Sequence, residues 1–326
     1  MLTTVAMDER LLASAIARRR LMPVGPATDV RRLVDGEGDG LAGVVVDRFA
    51  HIVRVELWAS HWPGTDADVE AAWGLPALLA PLGVTAIVAV LRTAAGRSIQ
   101  RILWGHVPEA HVVHEDGLRL LVRVADERAV GAGVFVDQRL GRRLVRDAAR
   151  GRTVVNLFAH AGAFGVAAAV GGAARVDHVD MAKKCAPWAA TNLALNGIDP
   201  RVHRFIVDDA LAVLARLARR PKSCGVIVCD PPTQAVRTDG TRFVLRDALH
   251  ELAEHACTAL DDDGLLLLSC NDRDVAVADV LTAAQAGAKS AGRVAKTLGE
   301  LPLPADITSK DAPRGRPMRG VVLRVR

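Results

Sequence analysis

Apolar positions along this chain recur at more than one period, and the dominant period changes with position. Residues 8 to 21, "DERLLASAIARRRL", space Leu and Ala as one face of a helix and end on arginines, which predicts a short N-terminal helix within a lead-in of residues 1–29. From about residue 30, turn signals alternate with short β-branched runs: "LVDGEGDGLAGVVVDRFAHIVRVELWA", "TAIVAVL", "SIQRILW" and "LRLLVRV". Such runs predict a small β-rich α+β domain over residues 30–127. From residue 128 onward, helix-like segments ("RRLVRDAA", "AFGVAAAV", "CAPWAATNLALNG", "LRDALHELAEHACTAL") alternate with strand-like ones ("TVVNLFA", "RVDHVDM", "CGVIVCD", "GLLLLSCN"). That alternation predicts a Rossmann-like, doubly wound, mostly parallel α/β sheet over residues 128–326. "LPLPADITSKDAPRGRP" reads as a late loop before a closing strand, "GVVLRVR".

The predicted strands of this sheet end on acids. In "VIVCDPPTQAVRTDG" an apolar run stops at Asp230, Pro231 and Pro232, and proline cannot donate to a sheet ladder, so the strand ends there. In open α/β sheets that carboxyl edge is where ligands bind. The first strand leads into a turn at Gly162 and then a helix, which offers backbone N–H groups to a ligand. The second ends on Asp180, about 20 residues after the turn, where a carboxylate can accept both hydrogen bonds of a ribose diol. The third ends on Asp208 and Asp209, where a carboxylate can accept from an adenine amino group. Singly, each acid is better explained as a helix N-cap; together they describe a site for a nucleoside-bearing cofactor.

Composition narrows the class. The chain has 326 residues, 50% of them hydrophobic, enough for one large core or two ordinary ones. The start, "MLTTVAMDERLLASAIARRRLM", lacks the features of a signal peptide, and no segment offers the ~20 apolar residues of a membrane span, so a cytoplasmic location is expected. Cys185, Cys224, Cys229, Cys257 and Cys270 are odd in number and widely spaced, which predicts free thiols and no metal site; His111 and His114 form a lone pair. A net charge of +5 fits a polyanionic partner without requiring one, and the absence of tyrosine argues against a broad base-stacking platform.

The layout "NLFAHAGAFGVAAAVGGA", "VDM", "DDA" and "DPPT", with "GVFVDQRLGRRLV" and "LVDGEGDGLAGVVVDRFA" upstream, resembles the bacterial large-subunit ribosomal RNA methyltransferases that make 5-methylcytosine. These are class I S-adenosylmethionine enzymes, close to guanine-N7 methyltransferase domains, and the resemblance covers residues 30 to 326. It implies that Phe158, Ala159 and Gly162 line the methionine side of the cofactor, Asp180 holds the ribose and Asp209 the adenine, while Asp137, Gln138 and Arg139 close the pocket. The same positions bring Phe135, His160, Met181 and Asp208 to the cofactor. Asp230 and Pro231 would lie between cofactor and target base, with Pro232, Thr233 and Gln234 on the substrate side. RNA, ribosomal in this family, is the partner that the resemblance implies.

Carbon 5 of a pyrimidine takes a methyl group only after a thiolate adds at carbon 6, so a cytosine-5 enzyme needs a cysteine at this edge. "LLLLSCNDRD" offers Cys270, matching the family's cysteine, with Asp230 as its catalytic companion. The alternative is that Cys270 is a small core residue. "DPPT" and "VDM" lean instead toward the N7 relatives, which carry an Asn-rich segment in place of the cysteine. The chain also departs from the family at Gly131, Ala132, His160, Ala161 and Gln234. The 29 residues before the resemblance are too few for the PUA RNA-binding domain of the cytosine-5 enzymes, so RNA docking would fall to the small β-rich domain or to a second protomer of a homodimer. A small-molecule methyltransferase and a non-catalytic binding protein remain open as rival readings.

Overall fold

The computed structural model describes residues 8–22, 24–25, 27–58, 74–92, 98–126, 130–220, 224–237, 240–272, 274–308 and 318–326. The chain divides into two compact units, one of Met1–Asp137 with Pro304–Arg316, the other of Gln138–Leu303 with Pro317–Arg326.

In the first unit, α1 (Glu9–Leu21) starts where the Asp8 carboxylate accepts from the N–H groups of Arg10 and Leu11, and its last turn carries Arg18, Arg19 and Arg20 against the negative end of the helix dipole. Five strands follow: β1 (Val30–Asp35), β2 (Val44–Phe49), β3 (Ile52–Trp58), then, after the short α2 (Leu75–Leu79), β4 (Ala86–Arg92) and β5 (Ser98–Trp104). They pair in chain order, antiparallel except for parallel β3 and β4. Alternation along the strands turns Leu33, Val46, Val53, Val55 and Ile87 into a core that includes Leu12 and Ile16 of α1 and Leu75 and Leu79 of α2. The opposite parity carries charge: Arg32 pairs with Asp35 and Asp47, and Glu56 with Arg54 and Arg92. A separate two-stranded hairpin, β6 (His111–Glu115) with β7 (Leu118–Val122), completes the strands of this unit.

The second unit opens with α3 (Arg139–Ala148) and then alternates β8 (Thr153–Leu157), α4 (Ala163–Val170), β9 (Arg175–Val179), α5 (Cys185–Leu195), β10 (Arg204–Ile206), α6 (Ala210–Ala218) and β11 (Cys224–Cys229). A small hairpin, β12 (Gln234–Val236) with β13 (Arg242–Val244), leads into α7 (Leu245–Ala259), β14 (Leu260–Cys270), α8 (Val277–Ser290), β15 (Ala295–Glu300) and β16 (Arg319–Val325). The sheet order is β10-β9-β8-β11-β14-β16-β15. Its first five members run parallel and β16 runs antiparallel to both neighbours. This is the doubly wound α/β architecture expected from the sequence. β11 is buried at every position, as a strand covered on both faces must be. The chain direction reverses across the sheet between β8 and β11, and a crevice at the carboxyl ends of those strands is the ligand position such a sheet creates.

Candidate active site

After β8 the chain passes through Phe158, His160 and Gly162 with φ of +53°, +49° and +81°. Left-handed backbone at an aromatic and a histidine costs roughly 1–3 kcal/mol each, so the surroundings must hold it. They do so through main-chain groups: Ala159 N–H donates to the Val179 carbonyl at 2.9 Å, and Gly162 N–H to the Ala159 carbonyl at 2.7 Å. Asn192, wholly buried on α5, donates to the Ala161 carbonyl at 2.8 Å. At Gly162 a Cβ would stand 2.6 Å from Ala189 Cβ, so glycine is required by space as well as by conformation.

Asp180 follows β9 directly. One carboxylate oxygen accepts from His160 N–H and the other from Ala182 N–H, both at 2.8 Å, and the Cys185 thiol donates to the same carboxylate. Burial, then the charge of Asp180 and this bond, push the Cys185 thiol up to about 12. The two N–H groups take two of the carboxylate's roughly four lone-pair sites, and a thiol is a weak donor that a ribose hydroxyl can displace, so Asp180 keeps capacity for a diol. Beside it lies a shallow cleft, open to solvent and lined by Ala159, His160, His178, Asp180, Phe205 and Val207 among others. His178 is 3% exposed and stacks on Phe205 with centroids 5.2 Å apart. Burial, with His203 nearby, pushes its pKa down to about 3, so it is neutral at working pH. Burial also lowers His160, against the opposing pull of Asp180. Met181 is half-buried at the next position.

The acids after β10 are spoken for by the protein itself. Asp208 accepts from Asp209 N–H at 2.8 Å and pairs with Arg216 at 2.6 Å, bonds that hold its pKa down. Asp209 caps α6, accepting from Ala212 N–H at 3.0 Å, and takes two bonds from Arg237 at 2.9 and 3.1 Å. Asp209 thus also fills the helix N-cap role that the sequence offered for each strand-end acid.

Asp230 ends β11 and is partly buried. Its Oδ1 accepts from Gln138 Nε2 at 2.8 Å and from the Ser269 hydroxyl. Gln138 is 3% exposed, and its Oε1 is buried with no partner among the described residues. Arg139 is buried as the first residue of α3. Pro231 is buried, Pro232 and Thr233 are half-buried, and the Thr233 hydroxyl donates to Asn271 Oδ1 at 2.8 Å. Gln234 begins β12 and accepts from Arg242. Phe135 belongs to the first unit, where its ring fills the space beside Gly131: a Cβ there would come within 2.4 Å.

Cys270 lies elsewhere. It is wholly buried and shares a core with Leu266, Leu268, Leu249 and Val280. Ser269, which reaches Asp230, must point to the other face of β14 because side chains alternate. Burial raises the Cys270 thiol pKa, against the lowering pull of Asp272 N–H, Arg319 and Arg246. Cys229 is likewise buried, with its thiol pushed up by burial and by the charge of Asp230. Sequence reasoning gave no role to Ser269, Asn192 or Arg237. For Ser269 the signal was available, since alternation alone sets it on the face opposite Cys270.

A mostly parallel sheet in this order, with a left-handed loop after its first strand and an acid after its second, defines the class I methyltransferase fold. The model of the S-adenosylmethionine-dependent methyltransferases matches residues 69–310, and the chain belongs to that family. It is 30% identical over 290 residues to a ribosomal RNA large subunit methyltransferase of Deinococcus radiodurans, covering 86% of this chain and 70% of that one. Ribosomal RNA large subunit methyltransferase I of Escherichia coli O139:H28 is 30% identical over 234 residues, 70% of this chain and 57% of the relative. Ribosomal RNA large subunit methyltransferase K/L of Marinobacter nauticus is 40% identical over 163 residues, 49% and 22% respectively. The chain thus spans less than two thirds of the last two relatives. Among solved structures, one complexed with SAH superposes with a TM-score of 0.84 at 22% identity, covering 98% of this chain and 82% of that one. The SAM-dependent methyltransferase of Agrobacterium tumefaciens superposes at 0.66, also at 22% identity, covering 93% and 91%.

The protein is therefore an S-adenosylmethionine-dependent methyltransferase, and its donor set fits that cofactor. Asp180 has acceptor capacity for a ribose diol, and the buried, unpartnered Oε1 of Gln138 can accept from an ammonium group. Among the described residues no group of His, Cys, Asp and Glu could hold a metal ion, and no helix is long and apolar enough to cross a membrane.

Proposed function

We propose that the protein methylates a base of large-subunit ribosomal RNA, with Asp230 and Pro231 at the target base and Asp180 at the cofactor ribose. The observation that carries this reading is the pairing of two differently held acids at one sheet edge. Asp180 is fixed by main-chain N–H groups beside a cleft, and Asp230 by side chains two strands away. The ribosomal RNA activity named for the relatives supports the substrate class. Bound S-adenosylmethionine supplies an electrophilic methyl group. The chain's own residues then have three tasks: Asp180 accepts the diol, Gln138 Oε1 accepts from the amino-acid end, and Asp230 accepts an N–H of the base so that its attacking atom is aimed. RNA docking falls to residues 30–127, and an RNA of this kind implies a cytoplasmic enzyme.

Direct attack by a ring nitrogen, as at guanine N7, is the chemistry the site favours, because Cys270 is buried on the face away from Asp230. The cytosine-5 reading, with Cys270 as nucleophile, is kept by one observation: its thiol ends β14 near Asp272 N–H, Arg319 and Arg246, which favour a thiolate, while burial and the Asp272 charge outweigh them and hold the thiol pKa up. One experiment separates them. Tritiated methyl is transferred from S-adenosylmethionine to ribosomal RNA from a strain lacking the gene, and the labelled nucleoside is identified for wild type and Cys270→Ala. We expect 7-methylguanosine from both proteins. Label in 5-methylcytosine, lost in a folded Cys270→Ala variant, would establish the thiolate route instead, and no label in RNA would move the search to small molecules.

A further inference from the structure

We propose that Ser269 is a positioning residue for Asp230, acting with Gln138 to hold that carboxylate ionised and in one orientation toward the target base. The inference rests on the reading of Asp230 as the acid that meets the base. Cys229 pairs with Leu268 across the parallel β11 and β14, so the next residues, Asp230 and Ser269, stand side by side at the carboxyl edge. Ser269 is wholly buried at the end of a leucine run, where an apolar side chain would pack as well. Its hydroxyl has a single proton and two acceptors within reach, Asp230 Oδ1 and the Cys229 carbonyl at 3.3 Å, of which Asp230 is the closer.

Gln138 reaches the same Oδ1 from the start of α3, at 2.8 Å. An ionised carboxylate only accepts, so the amide must turn Nε2 toward Asp230, which leaves Oε1 as the buried, unpartnered atom. Two distant stretches of chain thus converge on one oxygen. Two donors on Oδ1 arrest rotation of the carboxylate and favour its charged form, because hydrogen bonds to the charged form lower a carboxyl pKa. A protonated Asp230 would present a donor where an acceptor is needed, and a rotating one would lose aim on the base.

The test needs no knowledge of the substrate. Aspartate labelled with ¹³C at Cγ is incorporated into the cofactor-free protein, the Asp230 resonance is assigned by its loss in Asp230→Asn, and its titration is followed by NMR. Of the neighbouring titratable groups, the Cys229 thiol is raised by burial and by Asp230 itself and does not titrate in the same range. Ser269→Ala should raise the Asp230 midpoint by about one pH unit, and Ser269→Thr should restore it. Gln138→Leu should raise it similarly and carries the test if Ser269→Ala fails to fold. On ribosomal RNA from the deficient strain, Ser269→Ala should lower kcat about tenfold and leave SAH affinity, measured calorimetrically, unchanged. An unmoved midpoint in a folded variant overturns the proposal. Full activity of Asp230→Asn would instead overturn the role of Asp230 at the base, and the titration would still report whether Ser269 sets its ionisation.

Discussion

Four acids follow strand ends in the second unit, and the bonds each has already made distinguish them. Asp180 has one main-chain donor on each oxygen. Asp208 and Asp209 are engaged by arginines, and Asp230 by an amide and a hydroxyl. Removing Asp180 should remove bonds to the cofactor at roughly 1.5–3 kcal/mol for a charged partner. Calorimetry with SAH should therefore show at least a tenfold weaker Kd for Asp180→Ala and less than a twofold change for Asp208→Ala. Equal losses would mean that the diol is held elsewhere. The sequence made all four acids visible because an apolar run that stops on an acid is a strand end. It could not tell which were paired within the protein, since Arg216 lies outside the motifs that name the site and nothing in "DPPTQAVRTDG" marks Arg237 as the partner of Asp209. Cys270 shows the same boundary: its place at a strand end was legible, and the face it occupies needed alternation to be counted from Asp230's partner.

The elements themselves followed from periodicity wherever runs were long. The parallel strands and their helices, the small β-rich sheet and α1 were all legible, whereas the β12–β13 hairpin was not, because three-residue strands carry no period. The turn after β8 is constrained by both space and conformation, and Gly162→Ala tests it. A methyl 2.6 Å from Ala189 Cβ, added at a left-handed position, should destabilise the second unit by about 1–3 kcal/mol and lower Tm in a thermal melt. The charged face of the first sheet makes a separate prediction. There three guanidinium groups, of Arg32, Arg54 and Arg92, meet four carboxylates, of Asp35, Asp47, Glu56 and Asp137. Burial of the surplus acid raises Asp47 to about 6. A folded-state pKa above the unfolded value near 3.9 means the folded protein binds the extra proton between about pH 4 and 6. Through this group, stability should rise as pH falls from 7 toward 5. Urea melts should show that gain in wild type and its loss in Asp47→Asn.

For the whole molecule, a net charge of +5 and arginine-rich segments set the expectation for RNA. Each phosphate neutralised releases counterions, so affinity for ribosomal RNA should fall at least tenfold between 50 and 200 mM salt. Filter binding measures this directly, and a salt-independent affinity would favour a small-molecule substrate. The order of the last strands has a consequence for synthesis on the ribosome. Among the described residues β15 pairs with β16 alone, which is made after it and must enter between β14 and β15. In between, the chain returns to the first unit, where Asp306 receives the main-chain N–H of Arg32 and its carbonyl receives Arg19. Neither unit can therefore be finished in order as it emerges: both wait, partly built, for the same late stretch of chain. A nascent polypeptide stalled before residue 304 should expose the flank of β14 and be a substrate for chaperones, and release of the remaining residues should close both units nearly together.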